Sequence, residues 1–178
     1  MNSRSIDVTI RDFRLEDVPL KVSWINNPEM NRHLHYHIPL NEEDTRRWFR
    51  QKDNQTRRDC VIEYRGTPVG LIGLLCIDRT NRKAEYYVSL GEAAYEHLGI
   101  ASAATRLILD YAFFELQLNK VYLNVDAENE AACRLYLRNG FQCEGVFRED
   151  LLHHGRLIDR KRFAMLRADY LKIQETTG

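Results

Sequence analysis

The sequence has no surplus of charge, no paired cysteines and no long apolar run, and each lack excludes a class of protein. Lysine plus arginine number 26, as do aspartate plus glutamate, so the formal net charge is zero. Nucleic-acid binding through phosphate neutralisation draws on a basic excess that this chain does not have. The four cysteines, Cys60, Cys76, Cys133 and Cys143, form no C-x-x-C pair, which removes the spacing of zinc ribbons and of thioredoxin-like redox sites. No apolar stretch approaches the roughly 20 residues that span a bilayer. Met1 to Asp7 is polar, without the apolar centre of a secretory leader. These absences lead us to expect a cytoplasmic protein with reduced thiols that engages neither nucleic acid nor membrane. Repeats, low-complexity tracts and linkers are missing too, so residues 1–178 are expected to form a single domain.

Apolar residues make up 44% of the chain and charged ones 29%, a composition that suits a packed core under an ordinary polar surface. Val8 to Phe13 alternates apolar with polar and reads as a strand, and Leu15, Val18, Val22 and Ile25 mark a helical stripe after it. Asn41 followed by Glu42, Glu43 and Asp44, with Arg46, Arg47 and Arg50 later, reads as a capped helix whose charges complement its dipole. Cys60 to Tyr64 and Val69 to Ile77 read as strands joined by the turn Arg65-Gly66-Thr67-Pro68, and Lys83 to Leu90 as another strand. A helix from about Gly99 to Leu116 carries Ile100, Ala104, Leu107, Ile108 and Tyr111 on one stripe. Val121 to Val125 is a strand, Asn129 caps a short helix ending at Asn139-Gly140, and Phe141 to Phe147 with Ile158 to Leu166 make a last hairpin across His153-His154-Gly155. Cys60, Cys76 and Cys143 fall in strand-like stretches, where a free thiol behaves as a small hydrophobe. Arg156, Arg160, Lys161, Arg162 and Arg167 crowd the C-terminal region and read as a solvated basic face.

The order is β-α-α-β-β-β-α-β-α-β-β. A long helix between Lys83–Leu90 and Val121–Val125 makes those two strands parallel neighbours, because only a crossover of that length returns the chain. The expected fold is thus α/β (α+β): a mixed, mostly antiparallel central sheet of about seven strands flanked by about four helices.

Between the strand ending at Leu90 and the helix after Gly99 lies Gly91-Glu-Ala-Ala-Tyr-Glu-His-Leu-Gly-Ile-Ala-Ser102. A strand that runs into a helix N-terminus leaves backbone N–H groups pointing outward at the positive end of the dipole, which suits an anion such as a diphosphate. Gly99 lets backbone approach closely and Ala101 keeps the first turn unobstructed. Alone, this describes many ordinary loops. About 30 residues later, however, Asn129-Glu-Ala-Ala-Cys-Arg-Leu-Tyr136-Leu-Arg-Asn-Gly140-Phe141 closely resembles the N-x-x-A-x-x-L-Y-x-x-x-G-F signature of the GNAT superfamily of acetyl-CoA-dependent N-acyltransferases. Glu96-His97-Leu98-Gly99-Ile100-Ala101 is similar to that family's pyrophosphate loop, [QR]-x-x-G-x-[GA], with Glu96 where the family has arginine or glutamine. A carboxylate beside a diphosphate is repulsive unless it points to solvent.

The resemblance implies that the chain is an acetyltransferase with acetyl-CoA as cosubstrate and no metal, in which the amine attacks the thioester directly. It implies a parallel strand pair that splays to admit the pantetheine arm, with Val88, Ser89 and Leu90 on one side and Asn124 on the other. A backbone N–H near Val88 would act as oxyanion donor. Backbone groups from Glu96 through His97, Leu98, Gly99, Ile100 and Ala101 to Ser102 would bind the pyrophosphate, and Asn129 would contact the cofactor as well as capping its helix. Tyr136 would lie near the sulfur and protonate the departing thiolate, which a phenol with a reference pKa of about 10 can do; periodicity alone makes it an inward-packing residue. For the base that receives the amine proton, Glu85 is the first candidate, since it precedes the expected splay; a water-borne route and a plain exposed strand glutamate stay open.

The segment Leu34 to Leu40 would shape the acceptor pocket through His35, Tyr36 and His37. His33, His35 and His37 alternate, but three histidines with no carboxylate or cysteine at matching spacing do not make a zinc site. Cys133 has no histidine placed beside it to make it a nucleophile. Arg11 to Asp17, Trp24 to Glu29 and the Gly145–Asp150 and Gly155–Asp159 stretches resemble the branch holding ribosomal-protein N-terminal, spermidine and nucleotide-amino-sugar acetyltransferases. The acceptor is therefore expected to be a primary amine of a small molecule: a nucleotide-linked amino sugar, whose phosphates Arg148 or Arg156 could pair with, or a polyamine. A protein N-terminus and a non-catalytic acyl-CoA-binding role are the alternatives. A homodimer through the last hairpin is compatible with the sequence.

Overall fold

The computed structural model describes residues 6–177. Its strands are β1 (Val8–Asp12), β2 (Arg58–Tyr64), β3 (Thr67–Asp78), β4 (Lys83–Leu90), β5 (Lys120–Asp126), β6 (Gln142–His153) and β7 (Arg156–Leu166), in the sheet order β1-β2-β3-β4-β5-β7-β6. The helices are α1 (Val18–Asn26), α2 (Glu42–Gln51), α3 (Ile100–Asp110), α4 (Glu130–Arg138) and α5 (Arg167–Thr177). Every strand read from the sequence is present, and α5 is an addition to the four expected helices. β4 and β5 run parallel, and their ladder comprises three pairs, Lys83 with Lys120, Ala84 with Val121 and Glu85 with Tyr122.

Local chemistry accounts for several elements. Asn41 caps α2 by accepting from the Asp44 N–H at 2.8 Å, and Glu42, Glu43 and Asp44 fill its first turn; a cap of this kind stabilises a helix by about 1 kcal/mol. β2 and β3 meet across the two-residue turn Arg65-Gly66, both with positive φ, the arrangement that matches strand twist. The helix expected to reach Leu116 is α-helical only to Asp110, and Tyr111–Glu115 continues with π geometry, the Leu116 N–H donating to the Tyr111 carbonyl at 3.0 Å. Ile100, Ala104, Ile108, Leu109 and Ala112 are buried, whereas Leu107, expected on the stripe, faces solvent.

Two cysteines depart from expectation. Cys60 is buried, but Cys76 and Cys143 are exposed. Cys76 has φ 48°, which breaks the alternation of β3, and Cys143 adjoins a register shift in β6. Such irregularities turn the following side chains to the other face.

The chain divides into two compact units. One takes the described residues up to Leu74 together with Tyr87–Ile108; the other takes Leu75–Tyr86 and the chain from Leu109 onward. The first is centred on Phe13, Val18, Trp24, Ile25, Val61 and Leu71, with Trp48, Phe49 and Tyr87 packed against them. In the second, Tyr86, Tyr136, Phe141 and Phe163 form an aromatic cluster, and Phe113 and Phe114 pack on Tyr170 of α5. Full burial of a side chain such as Phe113 contributes about 1.5–3 kcal/mol, whereas Phe114 stays exposed at the edge of the group.

Candidate active site

In the first unit, β4 ends at Leu90 and the chain reaches α3 through an exposed loop. Glu96, His97, Leu98 and Gly99 are exposed there, and Ile100 is buried. His97 and Gly99 have φ 61° and 80°, left-handed conformations that let the loop fold back over the helix start. The first α3 ladder bond outside the loop is Ala103 N–H to Gly99 O at 3.0 Å, so the N–H groups of Ile100 and Ala101 come before the ladder begins. These donors, the dipole and an exposed rim fit a diphosphate. Glu96 is exposed. Gly99 also accommodates a neighbour, because a Cβ there would stand 2.7 Å from Ile6 Cδ1. Val88, Ser89 and Leu90 are half-buried at the end of β4, and Ala101 and Ser102 half-buried in the first turn of α3.

The segment after α1 is pinned by side-chain amides. Asn26 clamps Leu40 from both sides, Nδ2 to the carbonyl and N–H to Oδ1, each at 2.8 Å, and Asn31 donates to the Ile25 carbonyl at 3.1 Å. His35, Tyr36 and His37 lie on this tethered stretch; His35 is half-buried, Tyr36 and His37 exposed. Nearby is a charged cluster that the sequence did not reveal. Asp59, only 4% exposed, accepts from Arg57 at 2.7 and 2.8 Å, from Lys52 Nζ at 3.3 Å and from the Tyr87 hydroxyl at 2.8 Å. Burial opposes the Asp59 charge, but the bidentate Arg57 and the other donors outweigh it and hold its carboxyl below the usual range. Lys21 sits 3.6 Å over the Trp48 ring, and desolvation pulls its ammonium down to about 8. The signal that could have exposed this cluster is Gly73 in an otherwise apolar strand, since such glycines mark close approach. A Cβ there would meet the Tyr87 ring at 2.7 Å.

The second unit holds the proton-transfer candidates. Glu85 is half-buried, and its Oε1 accepts from Asn124 Nδ2 at 3.2 Å; Asn124 Oδ1 in turn accepts from Arg162 Nε at 3.1 Å. The side chain of Asn124, expected at the cofactor, is therefore engaged with Glu85 and Arg162. Tyr136 is 8% exposed, edge-on to Tyr86 with centroids 6.2 Å apart, and burial pushes its phenol well above the ordinary tyrosine value. Among the described residues its hydroxyl has no hydrogen-bond partner. It is a neutral O–H held in an apolar cage, ready for an acceptor that the protein does not itself supply. Asn129 caps α4 through Oδ1, which accepts from the Ala132 N–H at 3.1 Å. Arg148 is exposed and shares a surface depression with Glu149, Asp150 and Asp159, surroundings that disfavour a phosphate. Arg156 faces Glu128 at 3.5 Å. Among the described residues, no group of three or more histidines, cysteines or carboxylates is placed to hold a metal ion, and no helix is long and apolar enough to cross a membrane.

Comparison with known proteins gives the same direction. Residues 7–142 match the model of the acetyltransferase (GNAT) domain. The chain is 34% identical over 125 residues to the spermidine N(1)-acetyltransferase of Escherichia coli K12, covering 70% of this chain and 67% of that one. It is 38% identical over 125 residues to the spermidine N(1)-acetyltransferase of Vibrio cholerae, covering 69% and 70%. Among solved structures, spermidine N-acetyltransferase from Vibrio cholerae in complex with CoA and spermine superposes with a TM-score of 0.84 at 28% identity, covering 93% of this chain and 98% of that one. A dodecameric structure of the Vibrio cholerae enzyme gives 0.80 at 27% identity, covering 94% and 98%. A helix start suited to a diphosphate, a caged phenol on the signature helix and this family match agree, and the chain belongs to the GNAT family as an acetyl-CoA-dependent N-acetyltransferase of small-molecule amines.

Proposed function

We propose that the acceptor is a polyamine of the spermidine class and that the whole chain works as one cytoplasmic N-acetyltransferase domain, assembled as a homo-oligomer. The observation that carries the acceptor assignment is the likeness to spermidine acetyltransferases, over about 70% of the chain in sequence and 93% in structure, the latter to a relative solved with spermine. Charge supports it. In the depression beside Arg148, Asp150 is paired with Arg160, which leaves Glu149 and Asp159 against one guanidinium, a balance that favours a cation over the phosphates of a nucleotide sugar. The oligomer follows the dodecameric relative.

In the first unit, the backbone N–H groups of Ile100 and Ala101 with their neighbours from Glu96 to Ser102 grip the pyrophosphate, and Val88, Ser89 and Leu90 present backbone to the pantetheine arm. Acetyl-CoA supplies an activated acyl group as a thioester. The amine nitrogen bonds to the acyl carbon as the carbon–sulfur bond breaks. In the second unit Glu85 takes the proton that the amine must lose, and Tyr136 gives its proton to the thiolate and regains one from water. Asn129 keeps its Nδ2 for the cofactor while Oδ1 caps α4. His35, Tyr36 and His37 line the acceptor side.

The test is thiol release from acetyl-CoA with spermidine, spermine, a nucleotide-linked amino sugar and a peptide N-terminus as acceptors. The polyamines are expected to exceed the other acceptors by at least about 100-fold in kcat/KM. Preferential turnover of the amino sugar or the peptide would overturn the assignment.

A further inference from the structure

Glu85, Asn124 and Arg162 stand in a row on three adjacent strands, β4, β5 and β7. Asn124 lies directly opposite Arg162 in the β5–β7 ladder, and Glu85 opposite Tyr122 in the short parallel ladder. A carboxamide has unlike ends, and here its surroundings decide which way it faces. The Arg162 Nε–H donates to Oδ1 at 3.1 Å, which leaves Nδ2 to donate to Glu85 Oε1 at 3.2 Å. The reversed amide would set N–H against guanidinium and carbonyl oxygen against carboxylate, two repulsive contacts in place of two hydrogen bonds. The cation therefore fixes the polarity of Asn124.

Arg162 is itself held. Its guanidinium carbon is 4.7 Å from the Tyr122 ring centre and 4.9 Å from that of Phe147, so two aromatic faces clasp it. A guanidinium held in this way stays on Asn124 instead of closing on Glu85 as a direct ion pair. Only one carboxylate oxygen is tied by the relay, and the other stays available to a substrate.

We propose that Arg162 and Asn124 are positioning residues for Glu85: the clasped guanidinium orients the Asn124 amide, the amide fixes Oε1, and Oε2 is left to take the proton of the acceptor amine. This rests on the reading of Glu85 as the base. It gives a specific task to an arginine that the sequence presents as one of a solvated basic run.

The experiment is steady-state kinetics of the full chain with acetyl-CoA and spermidine, alongside melting temperatures, for Glu85→Gln, Arg162→Met, Arg162→Lys and the Glu85→Gln/Arg162→Met double variant. Glu85→Gln is expected to lower kcat by about 100-fold or more. Arg162→Met lowers kcat by about tenfold with the KM for acetyl-CoA within about twofold, and Arg162→Lys, which keeps a cationic donor, recovers to within about threefold of wild type. In the Glu85→Gln background Arg162→Met costs nothing further, because the relay then has no carboxylate to serve. Should Arg162→Met lose its fold, Asn124→Leu, near in volume and unable to bridge, takes its place in the same cycle with the same expectation. An equal loss in both backgrounds, or a raised KM for acetyl-CoA at unchanged kcat, overturns the positioning role. If Glu85→Gln is as fast as wild type, the base itself is misassigned and the positioning proposal falls with it; if Glu85→Gln is slow and Arg162→Met is not, positioning alone fails.

Discussion

Tyr87 on β4 lays its ring across Gly73 of β3 and donates its hydroxyl to Asp59 on β2 at 2.8 Å. The carboxylate so reached also holds Arg57 and Lys52, so one buried group organises three side chains. Replacing Asp59 by asparagine leaves both cations without their counter-charge and is expected to lower unfolding stability by about 3–5 kcal/mol. Tyr87→Phe, which removes one hydrogen bond, costs about 1 kcal/mol. Urea denaturation at neutral pH measures both; an Asp59→Asn variant as stable as wild type would show that the cluster does not support the fold.

Lys21 adds a pH dependence whose sign follows from its position. Burial brings its ammonium down to about 8, against about 10.4 for an exposed lysine. Between those values the unfolded chain binds a proton that the folded chain does not, so stability rises with pH across that window. The cost of the buried charge is complete below pH 8 and disappears above the ordinary lysine value; it is on the order of 3 kcal/mol, partly offset by the Trp48 contact. Lys21→Met removes the titration. Unfolding free energies of the two proteins should therefore converge in wild type's favour as pH rises, and parallel curves would contradict the buried placement of Lys21.

The fold was legible because its strands alternate or run apolar and its caps and turns are written in short words: Asn41 before three acids, Arg65-Gly66, Asn129 before the signature helix. What escaped was set by tertiary context. α5 has a weak stripe and is held by Tyr170, which packs on Phe113 and donates to Asp110, 60 residues away, at 2.8 Å. Cys76 was misplaced by its own left-handed conformation, and the helix expected to run to Leu116 gives way to a π turn after Asp110, local irregularities that no period records. At the site, the helix start and Tyr136 were visible through motifs. Asp59, Tyr87 and Arg162 were not, because their roles come from side chains crossing strands, and a charged strand residue reads as solvated until the partner is known.

Tyr136→Phe deletes a hydroxyl that bonds to no described residue, so the aromatic packing should persist and the melting temperature stay unchanged. With its proton gone, kcat should fall by about 100-fold while the dissociation constant for acetyl-CoA holds. Stopped-time thiol release and calorimetric titration separate the two quantities. An unaltered kcat would assign thiolate protonation to water and return Tyr136 to a packing role.

Glu96 stands exposed where the family carries a cationic or neutral amide side chain. Its repulsion of a diphosphate is screened, so Glu96→Gln should tighten acetyl-CoA by about two- to fivefold at low salt, with the gain vanishing at high ionic strength. Weaker binding by this variant would mean that the carboxylate contributes to the grip through a contact of its own.

In the proposed mechanism the start of α3, opened by Gly99 in its left-handed conformation, grips the diphosphate of acetyl-CoA. Calorimetric titration of acetyl-CoA and of S-acetylpantetheine, which lacks the diphosphate, into wild type and Gly99→Val tests it directly. Wild type is expected to bind acetyl-CoA at least about 100-fold more tightly than the truncated thioester, and Gly99→Val to erase most of that gap by raising only the acetyl-CoA constant. Equal affinity of wild type for the two thioesters, or a gap that survives in Gly99→Val, would contradict it.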